Sequence, residues 1–186
     1  MKAALFASLF FLTALLYASV GFGGGSTYTA MLVLGGASYL IIPIVSLLCN
    51  ILVVSGNSWR YARAGLVDWT RIWPFLVLSV PMAWAGGLVH VRKDVFIGLL
   101  AIALLFAGLS LLVKPAIKPN PKAAASRPLA AGIGAGLGLL SGMVGIGGGI
   151  FLAPILHRIG WGKPKDIAAL CSLFILLNSL SGLIGQ

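Results

Sequence analysis

The residues best placed to do chemistry in this chain are glycines. Val20-Gly21-Phe22-Gly23-Gly24-Gly25 lies near its start, and Val144-Gly145-Ile146-Gly147-Gly148-Gly149 repeats the phrase much later. Helix stability cannot explain either run, because an interior glycine costs about 1 kcal/mol relative to alanine. Glycine permits positive φ, lets a ligand or a neighbouring backbone approach closely, and can gather successive N–H groups into a concave anion nest. Where such a break precedes a helix, as Ser26 and Ile150 suggest, the unpaired N–H groups and the positive end of the helix dipole point at the break. Two such breaks at bilayer depth would attract an anion without a buried lysine or arginine. The competing reading is close packing between membrane helices, and it would be preferred for one isolated copy. Two copies at matched positions favour a substrate site.

Few side chains can add to it. Ser26, Thr27 and Thr29 offer hydroxyl donors beside the first run, whereas Ile150–Pro154 offers none beside the second. Asn50, Asn57 and Asn178 are too polar to face lipid, so each should point into the bundle or lie near an interface. For Asn57 the expectation is an interhelical hydrogen bond; for Asn50 and Asn178 structural and substrate roles stand even. Ser46, Ser172 and Ser179 are expected to bond to the preceding helical turn. The candidate substrate-binding set is Gly23, Gly24, Gly25, Ser26, Thr27, Gly147, Gly148, Gly149, Asn50, Ser172 and Asn178. His90 and His157 lie beside basic residues and read as interfacial. Asp68, Asp94 and Asp166 all fall in connections, which leaves no buried carboxylate for a cation pathway. No catalytic group, metal-ligand cluster or cofactor motif is expected.

These residues must be positioned by membrane helices. Hydrophobic residues make up 60% of the chain and charged residues 9%, too few polar atoms to cover a soluble surface. No charge occurs between Lys2 and Arg60, a stretch well beyond the roughly 20 residues that span a bilayer. Further uncharged runs at Ile72–Val91, Val95–Val113, Pro128–His157 and Ile167–Gln186 are each long enough to cross. Backbone groups facing lipid must be satisfied within their own segment, so the fold class is an all-α polytopic membrane protein. The net charge of +10 would suggest nucleic acid in a soluble protein. Here the basic residues sit in short connections, as lipid-headgroup anchors do, so the expected partner is the lipid bilayer and no nucleic acid. Trp59, Tyr61, Trp69 and Trp73 read as an aromatic belt at one membrane face.

The basic, proline-containing stretch 114–127 divides the chain into a first membrane repeat, 1–113, and a second, partial one, 128–186. Ser46-Leu47 then aligns with Ser172-Leu173, and Ser55-Gly56 with Ser181-Gly182, so the halves are expected to be duplicates. Spans near Tyr39–Asn57, Ile72–Val89 and Val95–Val113 follow a short piece at about Ser26–Leu34. Symmetry would call for about two further spans after Gln186, so the second half reads as incomplete: either a truncated product or a short member that completes its bundle by self-association, for example as a homodimer. Each half opens with a glycine-broken helix or a re-entrant hairpin. A hairpin places Arg60, Arg63, Arg71, the linker lysines, Arg127, Arg158, Lys163 and Lys165 on one side and Lys2, Arg92 and Lys93 on the other. The positive-inside rule favours that split and hence inverted repeats, although the arm after the glycines is short.

The two glycine phrases, Ala153-Pro154-Ile155-Leu156, Cys171-Ser172-Leu173 and the basic linker resemble the sulfite exporter TauE/SafE family. The first copy departs from it with Ala30 at the position of Pro154, and the chain ends about two helices early on the symmetry argument. The resemblance implies a multi-pass protein of the bacterial inner membrane, with two related halves, that moves sulfite, organosulfonates or other small sulfur-containing anions. Two other readings stand beside it. Cys49 and Cys171 could form an intramembrane thiol-disulfide carrier, but no basic residue near either would lower its pKa. The chain could also be a non-transporting membrane subunit or fragment.

Overall fold

A computed structural model describes residues 2–112 and 126–186. Residues 113–125, which hold most of the linker, lie outside them. The described chain is helical throughout, in the order α1 (Lys2–Val20), α2 (Gly25–Leu34), α3 (Ile42–Arg63), α4 (Trp69–Leu88), α5 (Lys93–Leu112), α6 (Arg127–Val144), α7 (Gly149–Arg158) and α8 (Pro164–Gly185). Local sequence sets several of these ends. Asp68 caps α4, its carboxylate accepting from the N–H of Thr70 at 3.1 Å and of Arg71 at 3.4 Å. Pro164 opens α8, and Asp166 Oδ2 accepts from the N–H of Lys163 at 3.1 Å. Helix α3 continues to Arg63, past Asn57 where the sequence reading ends the span. Arg60 and Arg63 in its last turn suit the negative end of the dipole, and Arg63 stacks over Trp59 at 5.1 Å.

At both glycine runs the chain turns back. Tyr17 OH lies 2.9 Å from Thr27 Oγ1, the Phe10 and Tyr28 rings are 4.9 Å apart, and Gly35 at the far end of α2 meets the Phe6 ring. Helix α2 therefore runs antiparallel to α1. Helix α7 likewise returns along α6, with Gly148 beside Leu137 and, further on, Leu156 and Trp161 in one core with Ala130.

The long helices cross in two opposed sets. Asn57 Nδ2 on α3 donates to the Ala18 carbonyl of α1 at 2.9 Å, so those two run together. Helices α4, α6 and α8 share the opposite direction. β-Carbons added at Gly134, Gly138 and Gly142 would fall in step on the carbonyl oxygens of Phe75, Ser79 and Ala83, while Ser181 Oγ donates to the Val80 carbonyl at 2.6 Å. Small residues at four-residue spacing are what let membrane helices approach this closely. As a result Arg60, Arg63, Arg71, Arg127, Arg158, Lys163 and Lys165 gather at one end of the bundle, with Arg71 bonded to the Trp161 carbonyl and stacked on its ring at 4.2 Å. Arg92 and Lys93 lie at the other end, paired there with Asp94 only through Arg92, at 3.9 Å.

Large apolar side chains point outward along the whole bundle: Phe11 is 67% exposed, Leu52 78%, Leu105 64% and Ile184 78%. In water such a surface would aggregate; against acyl chains it is the expected one. Among the described helices α3, α5, α6 and α8 are long and apolar enough to cross a membrane. The protein is an all-α polytopic membrane protein.

Candidate functional site

The two glycine tips meet in the middle of the bundle, and Asn50 of α3 lies between them. A β-carbon on Gly23 or Gly25 would collide with the Asn50 amide, and one on Gly147 would stand 2.8 Å from Asn50 Nδ2. The tips also touch each other, the Gly25 β-carbon position lying 2.5 Å from the Ile146 carbonyl oxygen. Ile175 of α8 closes the opposite side, 3.2 Å from the Gly23 position and 2.9 Å from that of Gly147.

Glycine is required here for backbone reasons as well as for space. Gly24 and Gly148, the residues just before α2 and α7, have φ of 81° and 71°, a region L side chains rarely adopt. This geometry leaves donors free. Among the described residues the N–H groups of Gly23, Gly24, Gly25 and Ser26 donate no hydrogen bond, nor do those of Ile146, Gly147, Gly148 and Ile150. The positive ends of two helix dipoles thus converge near one buried amide with no cationic side chain among these contacts.

The sequence-derived candidates divide accordingly. Gly23, Gly25 and Gly147 meet at Asn50, whereas Gly24 faces Thr13 and Tyr17, Gly148 faces Phe174 and Leu137, and Gly149 lies against Ile175; all of these, and Ser26, are buried. Thr27 is turned toward α1 by its bond to Tyr17. Ser172 Oγ donates to the Gly21 carbonyl at 2.5 Å, and Asn50 Nδ2 approaches the Gly145 carbonyl at 3.5 Å, so each tip is held by a side chain from the other half's long helix. Asn178 donates to the Phe174 carbonyl of its own helix at 2.8 Å, and its Oδ1, like that of Asn50, is buried without a hydrogen-bond partner.

Two expectations need correction. Ser46 and Ser172 do not bond to their own helices: Ser46 Oγ accepts from Thr29 and donates to the Gly25 carbonyl, both at 2.9 Å, and Ser172 reaches Gly21. The turned-back tips bring bare carbonyls within reach, and these compete with the serine's own helical turn. Tyr61 also departs from the exposed belt formed by Trp59, Trp69 and Trp73, since its hydroxyl would lie 2.6 Å from a β-carbon on Gly21. Cys49 is half-buried and Cys171 fully buried, and both are free thiols.

A cavity of about 590 Å³ opens at the basic end and reaches Val20 and Phe22 on either side of Gly21. A small cavity of about 20 Å³ lies beside Pro43 and Met143, near the second tip. Sequence reasoning passed over Arg60, Tyr61, His157 and Lys165 as interfacial, although all line this cavity.

The family model described as sulfite exporter TauE/SafE matches residues 6–186. The chain is 34% identical over 184 residues to the Sinorhizobium fredii protein named as probable membrane transporter y4hK, covering 95% of this chain and 73% of that one. It is 26% identical to the probable membrane transporter MamO of Paramagnetospirillum magneticum and 27% identical to that of Magnetospirillum gryphiswaldense. Each alignment covers 86% of this chain and 31% of the relative. No solved structure matches it. With a family match over nearly its whole length and a bundle built to cross lipid, the chain belongs to the sulfite exporter TauE/SafE family, as a multi-pass membrane transporter and not an enzyme.

Proposed function

We propose that this transporter exports small sulfur-containing anions, such as sulfite or organosulfonates, across the bacterial inner membrane, and that the substrate is held by backbone amides at the paired glycine tips. The observation that carries the reading is the meeting of the two glycine tips at Asn50, each tip with a run of backbone N–H groups that donate no hydrogen bond. Unpaired donors in a low-dielectric site favour a negative ligand strongly. Substrate would enter when the tips part, taking the place of the contact between Gly25 and the Ile146 carbonyl. The opposed directions of α3 and α8 support treating the halves as inverted repeats that rock about this point. The positive-inside rule puts the arginine-rich end in the cytoplasm, so this cavity faces the side from which an exporter loads.

Flux of sulfite and of a small organosulfonate into or out of proteoliposomes tests this. The wild-type chain should carry both, and Asn50→Ala should cut the rate by about tenfold or more, the expected effect of losing one buried polar contact in a site of this kind. Wild-type flux no greater than that of empty vesicles would reject the substrate class. Full flux in Asn50→Ala would reject the site.

A further inference from the structure

The cavity at the basic end is chemically distinct from the glycine tips above which it opens. Arg60, from the last turn of α3, and Lys165, from the first turn of α8, both line it, and His157 joins them from the end of α7. Neighbouring cations are already engaged: Arg71 with the Trp161 carbonyl and ring, Arg63 with the Trp59 ring. Among the described residues Arg60 and Lys165 form no ion pair, and no carboxylate lines the cavity. Asp166, although adjacent to Lys165 in sequence, is turned to the Lys163 backbone. Phe22 and Tyr61 also line it, and the Tyr61 hydroxyl lies beside Gly21.

We propose that this cavity is a loading site for the anion: Arg60 and Lys165 bind a sulfite or sulfonate group first, and Tyr61 and Phe22 separate it from the glycine tips. Two unpaired cations in a concave pocket with low-dielectric walls raise the local concentration of anions and give their oxygens charged donors. The volume of about 590 Å³ admits a hydrated oxyanion or a short organosulfonate with room to spare. The tips hold the substrate by amides alone, so a cationic antechamber lets capture and release be tuned separately from the central site. This inference rests on the anion-transport reading above.

Two measurements separate it from that reading. In phosphatidylcholine proteoliposomes, Arg60→Gln combined with Lys165→Gln should raise KM for sulfite about tenfold with the maximal rate kept within about twofold, while Arg60→Lys stays close to wild type. An unchanged KM overturns the loading site and leaves the glycine tips standing. A rise in KM that appears only in vesicles containing phosphatidylglycerol overturns it too, since the cations would then be holding a lipid headgroup. The second measurement needs no transport. In a Cys49→Ala, Cys171→Ala background, Ala168→Cys at the cavity wall should react several-fold faster with an anionic sulfonatoethyl methanethiosulfonate than with the cationic aminoethyl reagent, and the two charge-removing substitutions should abolish that preference. Equal rates, a preference for the cation, or no reaction with either reagent would each overturn the proposal.

Discussion

Asn50 Nδ2 on α3 lies 3.5 Å from the carbonyl oxygen of Gly145 in the distant glycine tip, while Asn50 Oδ1, with no exposed surface, has no hydrogen-bond partner. One amide thus bridges to the second tip and leaves a buried acceptor idle. Such a group normally costs about 1–3 kcal/mol when buried.

An aspartate here should imitate the bound anion. Asn50→Asp is nearly isosteric, and its carboxylate would sit between the two tips, whose N–H groups are unbonded. We expect anion flux to disappear while the melting temperature in detergent holds or rises. A large fall in melting temperature would show that the amides do not favour negative charge.

Gly24 and Gly148 should be intolerant of any side chain. Each adopts positive φ, so alanine costs about 1–2 kcal/mol in backbone strain alone. Crowding adds to it, as a β-carbon at Gly148 would stand 2.8 Å from Phe174. Thermal unfolding of the two alanine variants should show destabilisation of at least that size, with flux lost in parallel.

The parallel pair α4 and α6 gives a control that needs no transport assay. Gly138→Ala would press a methyl onto the Ser79 carbonyl and should cost about 1–3 kcal/mol as the helices separate. Gly136→Ala meets nothing within 4 Å and should stabilise by about 0.5–1 kcal/mol through helix propensity. Equal effects at the two positions in a denaturation series would contradict the packing described.

The cap of α4 makes a pH-dependent prediction. The hydrogen bond from the Thr70 side chain, with help from the Arg71 and Thr70 backbone N–H groups, holds the Asp68 carboxyl below the usual carboxylate range. A lowered folded value means the stabilisation is complete above the unfolded value and fades as pH falls through the folded one. Asp68→Ala should therefore cost about 1 kcal/mol at neutral pH, and the gap to wild type should close only in strong acid. A gap that widens with acid would show the sign to be wrong.

Replacing both thiols tests the redox alternative. Cys171 is fully buried and neither cysteine is bonded to the other. Cys49→Ala with Cys171→Ala should keep flux within about twofold of wild type, as expected for thiols that serve only as small apolar groups. Loss of flux with folding intact would revive a thiol-based mechanism.

Composition and hydropathy by themselves determined the solvent and the class of fold, because a chain this poor in charge can satisfy its backbone in lipid only as helices. They also marked the glycine phrases, since nothing about helix stability accounts for them, and through those phrases the family. The sequence left open whether Gly21–Gly25 interrupts a span or reverses it, and that was decided by the pairing of Phe10 with Tyr28 and of Tyr17 with Thr27. Only the tertiary structure brought Gly23, Gly25 and Gly147 onto Asn50, or drew Ser46 and Ser172 away from their own helices to the carbonyls of the first tip. Residues far apart in sequence become neighbours through the opposed crossing of α3 and α8, a relation with no local signature. Arg60 and Lys165 read the same as any interfacial cation until the turn of the chain at Gly21 opens a cavity between them.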